Sequence, residues 1–158
     1  MKEIRTSSKD ETIEVGRALG GLLERGDLVC ITGDLGTGKT VLTNGIAQSL
    51  GIEDYITSPT FTLVNEYNTE IPLYHFDVYR IADPEEMYEI GFEEYLYGDG
   101  VVVIEWADLI RDILPDQHIW IRIKKDLGVS VDARVIEIQF NGDKYSEYEK
   151  KLMAGKDK

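Results

Sequence analysis

The sequence predicts a layered α/β fold in which a mostly parallel central sheet lies between helices and an antiparallel hairpin completes the C-terminal side. Three observations carry this prediction. Leu28–Thr32 and residues 101–104 are short, continuous apolar runs, the pattern of strands buried on both faces, as parallel strands are. The first run leads through a glycine-rich turn, residues 33–38, straight into a helical stretch. Near the C-terminus, Ile119, Ile121 and Ile123, then Ile136, Ile138 and Phe140, alternate with polar or mixed neighbours on either side of residues 124–132, which reads as a hairpin.

Taken in order, Ser8-x-x-Glu11 is a capping-box pattern, and Ile13, Leu19, Leu22 and Leu23 follow at loosely helical spacing, so a helix is expected to about Arg25, closed by Gly26. Residues 39–50 form the helix after the glycine turn, stopping at Gly51. Residues 55–67 are threonine-rich around Pro59 and read as a loop running into a strand. Residues 73–79 read as a further strand. Asp83-Pro84-Glu85-Glu86 places an N-cap before a proline at the first helical position and starts a short acidic helix. A helix is expected between residue 105 and the hairpin. Beyond Gly142 the chain is charged, with Leu152 and Met153 its only large apolar residues after Tyr148, and is expected to be a marginal or frayed helix. The domain organisation expected is one unit over residues 1–142 and a charged tail over residues 143–158.

Composition narrows the class. The chain has 158 residues, 17 Lys+Arg against 30 Asp+Glu, and therefore a net charge of 17 − 30 = −13. With 42% hydrophobic residues it can bury one core and is not a disordered chain. Its aliphatic run at 101–104 falls far short of the ~20 residues that span a bilayer. No apolar segment follows Met1-Lys2-Glu3-Ile4-Arg5, so no secretory leader is expected. The single cysteine, Cys30, cannot form an internal disulfide, which fits a reducing, cytoplasmic setting. Such an acidic balance argues against unaided binding of nucleic acid, whose phosphates demand a basic face.

Gly33-Asp34-Leu35-Gly36-Thr37-Gly38-Lys39-Thr40 matches the phosphate-binding pattern G-x-x-x-x-G-K-[ST] in full. Glycines let successive N–H groups point at phosphate oxygens, and the helix that follows adds the positive end of its dipole. In this scheme Lys39 reaches the β- and γ-phosphates and Thr40 ligates Mg²⁺. The fold expected is thus a P-loop NTPase-like three-layer sandwich. A second metal ligand is expected at the end of a neighbouring buried strand, where residues 101–104 lead into Glu105; the plain alternative is a strand-end glutamate in solvent. Asp77 shares one strand face with His75 and Tyr79. Spacing alone leaves Asp77 equally a carboxylate that orients water or supports the metal, and a member of an ordinary surface face. His75 reads as a structural hydrogen-bonder before a catalyst. The sequence has no N-K-x-D stretch for guanine selection and no dense arginine lid; Arg80, Arg111 and Arg134 are isolated candidates for contacting a nucleotide from outside the loop.

Four stretches in order, the loop above, Ser58-Pro59-Thr60-Phe61-Thr62-Leu63-Val64-x-x-Tyr67, Tyr74-His75-Phe76-Asp77-x-Tyr79-Arg80, and Glu105-Trp106, resemble the TsaE family, the ATPases of bacterial tRNA threonylcarbamoyladenosine synthesis. The resemblance spans about residues 8–140. It implies a Mg²⁺-dependent hydrolysis of ATP in concert with TsaB and TsaD homologues, which transfer the threonylcarbamoyl group to the adenosine beside the anticodon in ANN-decoding tRNAs. Contact with tRNA would then be indirect, and no membrane would be involved. The resemblance assigns nucleotide binding to Gly36, Thr37, Gly38, Lys39, Thr40 and Val41, with Arg134 as a late contact and Ser8 as an N-terminal one. It gives Mg²⁺ to Thr40 and Glu105, and hydrolysis to Lys39 and Asp77. Thr60 falls in a switch-like loop near the γ-phosphate. Trp106 follows the metal ligand, although core packing explains it as well. The competing reading is a stand-alone P-loop kinase passing the γ-phosphoryl group to a small acceptor. The acidic segment at 83–99, with Tyr88, Tyr95 and Tyr97, is either a solvated helix face or part of the partner contact.

Overall fold

Strand pairing in this protein follows from its apolar runs. A computed structural model describes residues 1–59 and 62–156. The elements are β1 (Lys2–Thr6), α1 (Lys9–Gly20), β2 (Leu28–Thr32), α2 (Lys39–Ser49), β3 (Val64–Tyr67), β4 (Leu73–Asp77), α3 (Glu86–Glu89), α4 (Phe92–Leu96), β5 (Val101–Glu105), a 3-10 helix (Ala107–Ile113), β6 (His118–Lys125), β7 (Arg134–Asn141) and α5 (Asp143–Lys156). They form one 7-stranded sheet in the order β1-β7-β6-β2-β5-β4-β3. The centre, β4-β5-β2-β6, is parallel, while β7 and β1 on one side and β3 on the other are antiparallel. The layered α/β expectation holds, and the expected hairpin is β6–β7, joined to the parallel centre through β2.

Because side chains alternate along a strand, every central strand feeds two cores. Val29 and Ile31 of β2 and Val101 and Val103 of β5 pack with α1, α2 and α5. Leu28 and Cys30, with Val102 and Ile104, pack on the other face with α3, α4 and the 3-10 helix through Met87, Phe92, Leu96 and Ile110. Three layers result, as the runs without polar interruption required.

Helices α1 and α2 cross at glycines. A Cβ at Gly16 would lie 2.3 Å from the Leu42 carbonyl oxygen, and one at Gly45 would lie 2.2 Å from that of Ile13. The helix carrying the phosphate loop is therefore seated against α1 by direct backbone contact. Helix α1 starts as its sequence signals: Ser8 Oγ accepts from the Glu11 N–H at 3.1 Å. The return half of the box goes to Ser7, whose hydroxyl donates to Glu11 at 2.6 Å. The helix ends at Gly20, earlier than the expected Arg25, and Leu23 enters the core from the turn beyond it.

Two differences matter for the architecture. Strand β1 was not anticipated, because only Ile4 and Thr6 turn inward and two inward residues make no recognisable pattern. The tail expected to be marginal or frayed is a 14-residue helix, α5, with Tyr145, Tyr148 and Leu152 in the core. Its anchor is Asp27, fully buried, which accepts from the Tyr148 hydroxyl at 2.7 Å and from the Glu24 N–H at 2.7 Å. Lys144 closes the anchor with an ion pair to Asp27 at 2.5 Å, and Tyr145 accepts from the Leu28 N–H at 3.1 Å. Burial pushes the Tyr145 phenol up to about 12. Tyr148 rises as well, first by burial and then by its bond to Asp27, so it stays a donor. Among the described residues no helix is long and apolar enough to cross a membrane.

Adding one methyl group at the crossing tests this seating. Gly45→Ala must push α2 off α1, so its urea midpoint should fall by the equivalent of about 2 kcal/mol or more at unchanged slope. A wild-type midpoint for that variant would show that the helices separate freely.

Candidate functional site

Strand β2 delivers the chain to Gly33 (φ 152°), and the loop then turns through Gly36 (φ 79°) and Gly38 (φ 106°) before α2 begins. Those positive φ values are why the pattern needs glycine. At Gly33 space is short too, since a Cβ would meet the Ile123 carbonyl oxygen at 2.6 Å. Thr37 holds the turn, its hydroxyl donating to the Asp34 carbonyl at 2.9 Å. Helix α2 is N-capped by Gly38, with no side-chain capping bond. Its first N–H groups are thus left to a ligand, and the dipole there favours an anion.

Lys39 is buried. Its ammonium donates to the carbonyls of Gly33 and Asp34, both at 2.8 Å, and lies 4.1 Å from the centre of the Trp106 ring. Burial pulls its pKa below the ordinary value, and the charges of Glu105, Asp77, Asp34 and Asp108 oppose that pull. Two carbonyls and the ring thus fix the position of this cation beside the loop.

The carboxylates arrive on neighbouring strand ends. In the parallel register Asp77 of β4 is paired with Glu105 of β5, and Ile31 of β2 with Glu105 on the other side. Both carboxylates are buried, so neither is the solvent-exposed group that the sequence had left open. The Thr40 hydroxyl lies against Glu105, 2.9 Å from one oxygen and 3.1 Å from the other. His75 Nε2 contacts the same carboxylate. An oxygen-only pair beside a phosphate loop fits a hard divalent ion that keeps several waters, so Thr40 and Glu105 are the residues suited to Mg²⁺. Asp77 accepts from the Ser58 hydroxyl and, at 3.0 Å, from the Tyr79 N–H, which aims it along the cleft.

After Glu105 the chain turns sharply, with Trp106 in the left-handed region (φ 63°), a strained conformation for a bulky residue. The ring is thereby laid over Lys39 and 4.6 Å from Tyr79, which assigns Trp106 to the site's wall. A cleft of about 420 Å³ runs over the loop, lined by Lys39, Thr40, Asp77, Arg80, Glu105 and Trp106 among others. Beyond the loop's other flank a hollow of about 200 Å³ is bounded by Lys9, Thr12, Gly36, Val41, Asp132 and Arg134. A larger hollow of about 490 Å³ between β1, α1 and α5 shares no lining residue with the loop cleft.

The structure brings together most of the residues singled out in the sequence. Gly36, Gly38, Lys39, Thr40, Val41, Asp77, Glu105 and Trp106 line one cleft; Thr37 and Arg134 meet in the hollow behind the loop, where Arg134 Nε donates to the Thr37 carbonyl at 2.6 Å. Ser8 is the cap of α1, next to Lys9 on that hollow's rim. Thr60 lies outside the described residues. Arg111 is stacked on Trp120 at 4.4 Å and does not line the cleft, whereas Arg80 does. Ser58 was missed as a partner of Asp77, because a hydroxyl 19 positions away carries no local signal; Tyr79 was placed beside Asp77 on one strand face, and its bond comes from the backbone N–H.

A sheet with a parallel centre, a glycine loop from β2 to α2, and acidic residues on the adjoining strand ends define an α/β protein of the phosphate-loop kind. The family model described as "Threonylcarbamoyl adenosine biosynthesis protein TsaE" matches residues 6–134, and the chain belongs to the TsaE family. The protein named tRNA threonylcarbamoyladenosine biosynthesis protein TsaE from Bacillus subtilis (strain 168) is 40% identical over 148 residues, covering 92% of this chain and 90% of that one. Its namesake from Treponema pallidum (strain Nichols) is 44% identical over 117 residues, 74% of this chain and 87% of that one. The crystal structure of Bacillus subtilis YdiB superposes with a TM-score of 0.82 at 35% identity, over 98% of this chain and 95% of that one.

Removing the brace behind the loop should loosen it locally. In Arg134→Ala the amide protons of Thr37 and Gly38 are expected to exchange roughly tenfold faster, with global unfolding little changed. Equal protection in the two proteins would show that Arg134 does not brace the loop.

Proposed function

We propose that this chain is a Mg²⁺-dependent ATPase that works with TsaB and TsaD homologues in the threonylcarbamoylation of the adenosine next to the anticodon of ANN-decoding tRNAs. The observation that carries this reading is the convergence of Lys39, Thr40, Asp77 and Glu105 on one cleft, in a chain of the TsaE family. The loop N–H groups from Gly36 to Val41 and the Lys39 ammonium bind the β- and γ-phosphates. Thr40 and Glu105 hold Mg²⁺, which when bound neutralises phosphate charge during hydrolysis. Asp77, fixed by Ser58 and the Tyr79 N–H, orients the attacking water or takes its proton. Ser8 and Arg134 flank the nucleoside, and Thr60 responds to the γ-phosphate. The protein acts in the cytoplasm, on protein partners, and reaches tRNA only through them; its net charge of −13 suits that division of labour. The exposed Glu93 and Glu94, with Tyr97 beside them, are the surface offered to a basic partner.

Steady-state ATP hydrolysis without any acceptor, raised on addition of the two partners, separates this reading from a stand-alone kinase. Lys39→Ala should abolish turnover and most nucleotide affinity, since the ammonium is the charge that the loop fixes beside the phosphates. Wild-type turnover in that variant, correctly folded, would sink the assignment. Asp77→Asn should leave ATP affinity nearly intact and slow turnover at least tenfold, about 1.4 kcal/mol of barrier, because its charge matters to the water and not to ground-state binding. The decisive reading is the ratio of turnover number to dissociation constant for the two variants, with equal losses in both terms for Asp77→Asn counting against a role in hydrolysis.

A further inference from the structure

His75 is buried beside the cleft and takes no part in binding or hydrolysis as proposed above. It lies on β4 between Leu73 and Asp77, on the same face, and its Cα is paired with that of Val103 in β5. Glu105 lies two residues further along β5, and the imidazole reaches it diagonally, Nε2 against Oε2. The histidine side chain has no exposed surface and that of Glu105 only 3%.

The second ring nitrogen settles what the first one does. Nδ1 is buried and, among the described residues, has no hydrogen-bond partner. A proton there would leave an N–H group with no acceptor, so the proton belongs on Nε2, the atom that faces the carboxylate. The ring is then a single, directed N–H donor with a bare lone pair on its far side. A position that only had to fill space would take a leucine or valine, as Leu73, Val101 and Val103 do around it. Keeping a histidine with one orphaned nitrogen costs free energy that an aliphatic side chain would not, and the return is the bond to Glu105.

Glu105 needs such a donor. Three rotatable bonds separate its carboxylate from β5, and among the described residues its hydrogen-bond partner besides His75 is the Thr40 hydroxyl. That hydroxyl is committed to the cation in the function proposed. We propose, on the reading that Thr40 and Glu105 hold a divalent cation, that His75 is a positioning residue whose Nε2–H keeps the Glu105 carboxylate turned towards Thr40. It sets the affinity of the site for the cation, and not its affinity for the nucleotide phosphates. This is the relation that outer hydrogen-bond partners bear to ligating groups in metal sites generally.

The test is a titration of a non-hydrolysable ATP analogue, over a range of Mg²⁺ concentrations and in EDTA, on wild type and three variants. His75→Gln returns an N–H donor near the Nε2 position; His75→Asn reaches only as far as Nδ1; His75→Leu has no donor. The Mg²⁺ concentration for half-maximal enhancement of binding should rise about tenfold or more in the Leu and Asn variants, stay within about threefold of wild type in Gln, and leave affinity in EDTA unchanged in all three. Equal weakening with and without Mg²⁺, or no change in the Mg²⁺ requirement, would overturn the proposal. So would a Gln variant as poor as Asn, and this comparison decides the matter if the Leu variant does not fold. Wild-type binding indifferent to Mg²⁺ would overturn the cation reading of Thr40 and Glu105 itself, and this inference with it. A Mg²⁺-dependent wild type with unaffected variants overturns the role of His75 alone.

Discussion

Parallel pairing of β4, β5 and β2 is the constraint on which the rest of this molecule depends. Parallel strands end on the same edge of a sheet, and here three ends meet there: β2 running into the loop at Gly33, β5 at Glu105 and β4 at Asp77. The register matters as much as the direction, since Glu105 sits between Ile31 and Asp77. A slip of one residue would turn either carboxylate to the opposite face, among Met87 and Phe92. Burial on both faces makes that slip costly, so the apolar packing holds the polar geometry in place. This is the crevice at the carboxyl ends of strands where open α/β sheets place ligands.

The electrostatics of the cleft are local and opposed to those of the whole chain. With 30 acidic against 17 basic residues, the protein repels a polyanion at a distance. Salt screens that repulsion within about 8 Å at physiological ionic strength. The favourable groups at contact include Lys39, the uncapped N-terminus of α2 and the loop N–H groups, held by backbone geometry, with Arg80 on the cleft wall. Two neighbouring carboxylates would oppose phosphate charge, which is the physical reason a cation belongs with the nucleotide in the function proposed. Lys39 meanwhile is kept from the carboxylates by two carbonyls and the Trp106 ring, so the site does not collapse into a buried ion pair.

A second polar cluster, at the opposite end of β2, does structural work of a different kind. Asp27 ties Glu24, Lys144 and Tyr148 together where α1's connection enters the sheet. The cluster fastens α5 across the face that also carries α1 and α2, and α5 in turn completes the core beneath them. The loop helix is therefore gripped from two sides, by glycine contacts with α1 and by a core that the C-terminal helix finishes.

The sequence by itself determined the fold class and the glycine-rich turn between β2 and α2, and it named most of the residues that line the cleft beside that turn. Those signals are local: positive-φ glycines at fixed offsets, a lysine one residue into a helix, and apolar runs long enough to imply burial on both faces. It also carried Asp77 and Glu105 as candidates, yet could not say whether either faced solvent. Tertiary structure decided what depends on partners distant along the chain. Strand β1 exists because β7 offers it an edge, and α5 is ordered because Asp27, more than a hundred residues earlier, needs Tyr148 and Lys144. Arg111 left the candidate nucleotide contacts because Trp120 lies beneath it, and Ser58 joined the site through Asp77. His75 read as an ordinary hydrogen-bonder until the sheet set it against Glu105. A side chain's local pattern sets where it can point, while burial and the register of strands far apart in sequence set what it meets there.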